Sequence, residues 1–273
     1  MLGNEGISIA DFLIEHGQKV RLDKTDPDGT KAIKKQAVLA ETEKLVEKLS
    51  GLQELLYAGQ EQKVLIVLQA MDTGGKDGTI KHVFQGVNPQ GVKVVNFRQP
   101  SQTELQHDYL WRVHQNVPAS GEIVIFNRSH YESVTVVRVH RQISDEEASR
   151  RFKQINKFER YLTEEGMTIL KFYLHIDSAE QKKRLIQRLN DPTKQWKFNI
   201  NDLTERKLWT KYMEAYEQAI ENTSTDYAPW YIVPANHNFL RNYIVSKVIV
   251  KSLEKLGLRY PKLKQDVNPA DIQ

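Results

Sequence analysis

The residues most suited to chemistry follow the apolar run Val64–Leu68: Gln69-Ala70-Met71-Asp72-Thr73-Gly74-Gly75-Lys76-Asp77-Gly78-Thr79. A strand, a glycine turn, a lysine and a helix start, in that order, make a phosphate-binding loop. Glycines let backbone N–H groups approach phosphate oxygens, the helix N-terminus adds its positive dipole, and the lysine brings a mobile cation. Gly74, Gly75, Lys76, Asp77, Gly78 and Thr79 are therefore the expected phosphate contacts. Two residues depart from G-x-x-x-x-G-K-[ST]. Ala70 takes the first glycine position, and Asp77 stands where a hydroxyl would hold magnesium, with Thr79 two residues late. That makes Asp72 the expected carboxylate near a metal, since Mg2+ is normally held by one or two carboxylates plus substrate phosphates. The plainer reading of the same residues is a strand-to-helix turn with a surface lysine.

A second constellation follows the strand candidate Glu122–Phe126: Asn127-Arg128-Ser129-His130-Tyr131-Glu132. In phosphate-loop enzymes a strand parallel to the first ends in an acidic residue that assists the metal. Here Asn127 holds that place and can offer an amide oxygen without charge. Arg128 beside it suits bidentate contact with phosphate. Alone, the cluster could equally be a capping loop. The third element is Arg188, Asp191, Pro192, Lys194, Trp196 and Lys197, within a basic segment at 182–211. That segment carries nine Lys/Arg against three acids, net +6 in a chain of net +4, so the remainder sums to −2. Such asymmetry suggests a local anionic ligand. A solvated basic face competes with a lid over phosphates.

To bring these residues together the chain needs a sheet. Strand candidates at Val64–Leu68, Val92–Phe97, Glu122–Phe126, Thr168–Ile176 and Trp230–Val233 are near-continuous apolar runs, as for strands covered on both faces. Helical patterns lie between them at about 76–86, 102–116, 144–165, 178–190 and 203–222, with another at 237–256. The alternation predicts an α/β fold in three layers: a parallel sheet of about five strands flanked by helices. Residues 1–29 read as an irregular lead-in. Ile33, Ala37, Ala40, Leu45, Leu49, Leu52 and Leu56 then form an amphipathic helical stripe. The expected division is an N-terminal extension at 1–60, a phosphotransferase domain at 61–260 with its lid at 182–211, and a tail at 261–273.

Composition narrows the chemistry. With 273 residues and 40% hydrophobic content the chain can bury a sizeable core. The absence of cysteine excludes disulfides, thiolate nucleophiles and Cys-type metal sites. His107 and His114, seven apart, could share a helix face but lack a nearby carboxylate ligand. No apolar run reaches the roughly 20 residues of a membrane helix. The N-terminus lacks the pattern of a secretory signal, so cytoplasm is the expected compartment.

Three blocks together carry a resemblance: Ala70–Thr79, Phe126–Glu132 and Asp191–Trp209, with Ala228–Ala235 in support. In order and spacing the chain resembles the polyphosphate kinase 2 family over roughly residues 30–260. That likeness implies a phosphate-loop kinase fold and phosphoryl transfer between inorganic polyphosphate and AMP, ADP or ATP, with Mg2+, or Mn2+ as a substitute. By position, Asp72 and Lys76 match the family's first-loop acid and lysine. Arg128 matches its third-strand arginine, and Arg188, Lys194 and Lys197 its lid cations. Many members have Asp where this chain has Asn127. The form with Asn followed by SHYE is similar to the class III subgroup, which accepts both AMP and ADP, and Glu132 falls where subgroups differ in nucleotide choice.

The residues suit that reaction. A terminal phosphate oxygen is already anionic near neutral pH, so alignment and charge neutralisation suffice and no general base is needed. Asp72, Lys76 and Arg128 are thus the expected catalytic set, with Asp72 and Asn127 for the metal and Glu132 for nucleotide selection. A homo-oligomer binding neither nucleic acid nor membrane is expected. The rivals are an ATP-dependent nucleoside monophosphate kinase, sharing fold and loop, and a nucleic-acid-binding protein stacking bases on Trp196, Tyr212 and Tyr216.

Overall fold

A computed structural model describes residues 7–30 and 34–263. Ile33 of the helical stripe and the tail beyond 263 lie outside the described residues. Five strands match the apolar runs: β2 (Lys63–Gln69), β3 (Val92–Asn96), β4 (Ile123–Asn127), β5 (Met167–His175) and β6 (Trp230–Pro234). A sixth, β1 (Leu13–Ile14), lies in the supposedly irregular lead-in and pairs antiparallel with Trp230 and Tyr231 of β6. The sheet runs β1-β6-β5-β2-β4-β3 and is mixed rather than wholly parallel. Two residues of strand are too short to show a hydrophobic period, which is why β1 left no trace in the sequence.

Strand β2 is central, in parallel register with β4 on one side and β5 on the other. Its side chains alternate between two cores. Leu65 and Val67 pack with Phe126, Ile169 and Tyr173 under α3 (Asp145–Glu164) and α5 (Trp209–Thr223). Val64, Ile66 and Leu68 pack with Phe172, Leu174 and Val248 under α1 (Lys35–Gly59) and α6 (Asn238–Glu254). Leu49 and Leu56 of α1 are fully buried in the second core. The amphipathic N-terminal helix therefore packs against one face of the sheet.

Helices α2 (Lys76–Val83) and α4 (Ser178–Asn190) follow β2 and β5. The helix expected over 102–116 is instead two single turns, Gln102–Leu105 and Trp111–His114. The Asp108 carboxylate accepts from the Leu110 backbone N–H (2.9 Å), restarting the chain where a continuous helix would have passed. His107 and His114 therefore share no helix: His107 stacks on Trp111, and His114 packs edge-on to Phe158. The basic segment is divided too. Residues up to 190 belong to α4; 191–208 forms a projecting turn-and-helix piece containing Asn201–Lys207. No described helix is long and apolar enough to cross a membrane.

Candidate active site

The loops after β2 and β4 meet at the carboxyl ends of adjacent parallel strands, where open α/β sheets bind ligands. The first is a tight turn in which Gly74 N–H donates to the Met71 carbonyl (2.9 Å). A Cβ at Gly74 would lie 2.8 Å from that same carbonyl, so only glycine fits. Gly75 caps α2 at φ +102°, a conformation L side chains avoid. Lys76 opens the helix and folds back, its ammonium donating to the Ala70 carbonyl (3.0 Å). Burial, then the neighbouring Arg128, pull its pKa below the ordinary lysine value. A lysine so placed gains an anion's company at little cost. Thr79 is different from expectation: it is fully buried and its hydroxyl is bonded to the Gly75 carbonyl (3.1 Å), fastening the first helical turn instead of facing the loop.

Register aligns Asn127 of β4 with Leu68 of β2 and Asn96 of β3. Its amide nitrogen donates to Asp77 Oδ1 (2.9 Å) and Asn96 Oδ1 (2.8 Å), leaving its oxygen as the group available to a cation. Arg128 follows at φ +63°, strained for a non-glycine residue. Its N–H is held by the Leu68 carbonyl (3.1 Å), and its Nη2 donates to Asp72 Oδ1 (3.1 Å). The two catalytic candidates from separate loops are thus in direct contact. Arg128 is 45% exposed and Asp72 31%, so both remain open to a ligand.

Glu132 closes the set from the turn His130–Ser133. The Gln69 amide is best satisfied with its nitrogen towards Glu132 Oε1 (3.0 Å) and its oxygen accepting from Ser129 N (3.1 Å). Burial raises the Glu132 pKa against the opposing pull of Arg128 and Lys76. Burial raises Asp202 as well, with Asp72 adding to it. The cleft is therefore a mixed one, with Lys76 and Arg128 among Asp72, Glu132 and Asp202.

The projecting basic piece reaches this cleft through Lys197, whose ammonium lies 3.1 Å from Asp77 Oδ2. Burial would raise the Asp77 pKa, but hydrogen bonds from Lys197 and Asn127 bring it below the usual carboxylate range. Arg188 donates to the Lys197 carbonyl (3.3 Å) and lies 3.6 Å from Asp202. Lys194 pairs with Asp191 of its own turn (2.7 Å). Trp196 is 78% exposed. Three supports escaped the sequence reading. Gln181 donates to the Asp72 carbonyl (3.1 Å), Arg184 to the Thr73 carbonyl (2.9 Å), and Tyr216 of α5 to the Ala70 carbonyl (3.4 Å). Arg184 was visible only as one cation of a basic segment; the helical spacing of Gln181 and Arg184 around α4 was the available signal.

Among the described residues no three His, Asp or Glu side chains form a ready-made metal cage. A hard cation completed by substrate phosphates needs no such cage, and Asp72 with the Asn127 oxygen is a donor set of the right chemistry.

The loop, the strand order and the contact of Asp72 with Arg128 describe an α/β protein with a phosphate-loop motif at the carboxyl ends of its central strands. The chain belongs to the polyphosphate kinase 2 family: residues 32–260 match the model described as Polyphosphate kinase 2 (PPK2). It is 53% identical over 253 residues to an AMP/ADP-polyphosphate phosphotransferase of Meiothermus ruber, covering 92% of this chain and 95% of the relative. It is 46% identical to an ADP-polyphosphate phosphotransferase of Rhodopseudomonas palustris, over 80% of this chain and 79% of the relative. The crystal structure of polyphosphate kinase 2 from Arthrobacter aurescens TC1 superposes with TM-score 0.91 at 41% identity, covering 96% of this chain and 94% of that one.

Proposed function

We propose that this chain transfers the terminal phosphoryl group of inorganic polyphosphate to AMP or ADP, forming ADP or ATP, and runs the reaction reversibly. The observation that carries it is the contact of Arg128 with Asp72 beside Lys76, at the mouth of a glycine loop. Transfer between two phosphates creates no new demand for a base, and the cleft offers cations and backbone amides instead. Lys76 and the amides of Gly75–Gly78 hold the transferred phosphoryl group, while Gly74 shapes the turn, and Arg128 neutralises charge on the phosphoryl oxygens. Asp72, bonded to Arg128, keeps the guanidinium aimed. Arg188, Lys194 and Lys197 cover the polyanion from the projecting segment. Glu132, a carboxylate beside the phosphates, favours the acceptor with fewer charges.

A divalent cation, Mg2+ or Mn2+ in its place, would be held by Asp72 and Asn127 and would screen the facing phosphates. The chain is expected to act in the cytoplasm as a homo-oligomer, which light scattering on the purified protein tests. The reaction itself is tested by incubating the protein with polyphosphate, Mg2+ and separately AMP or ADP, then resolving the nucleotides. Polyphosphate-dependent ADP and ATP are expected. Product formed only when ATP is the donor would make it a nucleoside monophosphate kinase.

A further inference from the structure

Helix α6 carries a charge that the reaction above does not use. Arg241 is 2% exposed, on a helix whose neighbouring Leu240, Tyr243, Ile244 and Val245 are all buried. Its guanidinium lies against the underside of the phosphate loop. A Cβ built on Gly75 would collide with Arg241 Nη1, and one on Gly78 would stand 3.3 Å from Nη2. Among the described residues no carboxylate pairs with it. Nη1 donates to Asn238 Oδ1 (2.8 Å), and Nε and Nη2 donate to Asn242 Oδ1 (3.1 and 2.9 Å). Both acceptors are neutral amide oxygens. The charge that bears on it is another cation, Arg184, which has its own counter-ion in Glu180 (2.8 Å). Burial, then Arg184, push the Arg241 pKa down to about 9.

A buried charge without a counter-ion is costly, and an apolar side chain of similar volume would fill the same space more cheaply. The backbone it lies against, Gly75–Gly78, is the stretch whose amides are assigned above to the phosphate. We propose that Arg241 is the counter-charge of the phosphate held there, acting across Gly75–Gly78 without touching the substrate. It is a positioning residue for the polyphosphate donor, and the proposal rests on the polyphosphate reading above. The close approach also explains why glycine recurs at 75 and 78. Because Arg241 is buried, its attraction should resist salt, whereas that of exposed cations such as Lys194 should be screened.

The test exploits Asn242, which already accepts two bonds from the guanidinium. Asn242→Asp keeps the shape and supplies an internal counter-ion. Without ligand it should melt above wild type. It should bind inorganic tripolyphosphate about tenfold more weakly, and the loss should persist in high salt. Arg241→Met should weaken binding by a similar factor, and Arg241→Lys should stay within about threefold of wild type, since charge and not shape is at issue. Asn242→Asp binding like wild type, or Arg241→Lys losing as much as Arg241→Met, overturns the proposal and leaves Arg241 a packing residue. If wild type itself fails to bind tripolyphosphate, the phosphate-loop reading falls first and takes the proposal with it.

Discussion

Replacing Lys171 with Met tests the support beneath the Arg128 turn. Lys171 is fully buried on β5, and its ammonium donates to Glu159 Oε2 (2.6 Å), the Tyr131 hydroxyl (2.9 Å) and the Thr223 carbonyl (2.7 Å). Glu159, also fully buried, accepts at its other oxygen from Tyr131 (2.8 Å) and faces His130 Nε2 (3.1 Å). Burial would raise the Glu159 pKa, but Lys171 and His130 hold it below the ordinary value, so the carboxylate is ionised. Lys171→Met strands that charge with no exposure to water, and breaking such a pair costs about 3–5 kcal/mol. For a domain of this size that is a fall in Tm of roughly 10 °C. Lys171→Met with Glu159→Gln removes both charges and should recover at least ~2 kcal/mol of the sum of the single losses. Tyr131 and His130 follow Arg128 within three residues, so turnover should fall in Lys171→Met even well below its Tm. Denaturant melts of the four proteins decide it. Single variants within about 1 kcal/mol of wild type, or an additive double variant, would refute the reasoning.

Three further outcomes are expected. Lys76→Ala should lose on the order of a hundredfold or more in turnover with little change in unfolding, because its ammonium serves a charge that forms with the substrate; activity within a few-fold of wild type would dismiss the loop assignment. Glu132→Asn should shift the AMP-to-ADP activity ratio. Since the folded pKa of Glu132 is raised, its ionisation costs stability as pH climbs through that value, and Glu132→Gln should lose this part of the decline between acid and neutral pH in melts. Lys194→Gln with Lys197→Gln should flatten the log–log salt dependence of polyphosphate affinity by about 1.4, by analogy with about 0.7 per cation on a single-stranded polyanion; parallel salt curves would make the segment a solvated face.

Strands β2, β4, β5 and β6 were legible because they are buried almost throughout and so read as mainly apolar runs; β3, at the sheet edge with Lys93, Val94 and Asn96 exposed, was marked by its valines alone. The phosphate loop was legible because its glycines are required by geometry that any sequence must meet, as at Gly74 and Gly75. What the sequence hid is of two kinds. Short elements such as β1 and the broken stretch around Asp108 depend on one or two local hydrogen bonds, below the length at which periodicity speaks. Supports that arrive from distant positions were also hidden. Gln181 reaches Asp72, Arg184 reaches Thr73 and Arg241 reaches Gly75 only after β5 has been laid beside β2 and β6 beside β5. A lone arginine among Leu240, Tyr243 and Ile244 was the one visible sign of the last. Thr79 shows the converse, since its type and position suggested phosphate while its hydroxyl is turned to Gly75.

The central claim is that phosphoryl groups pass from polyphosphate to a nucleotide at the Asp72–Lys76–Arg128 cleft. A single-turnover experiment with polyphosphate labelled at its phosphoryl groups, followed into ADP for wild type and Arg128→Met, tests it most directly. The label should appear in the terminal phosphate of ATP for wild type and arrive at least a hundredfold more slowly for Arg128→Met, as for a lost transition-state charge. Label released as inorganic phosphate, or transfer by Arg128→Met at the wild-type rate, would contradict the account.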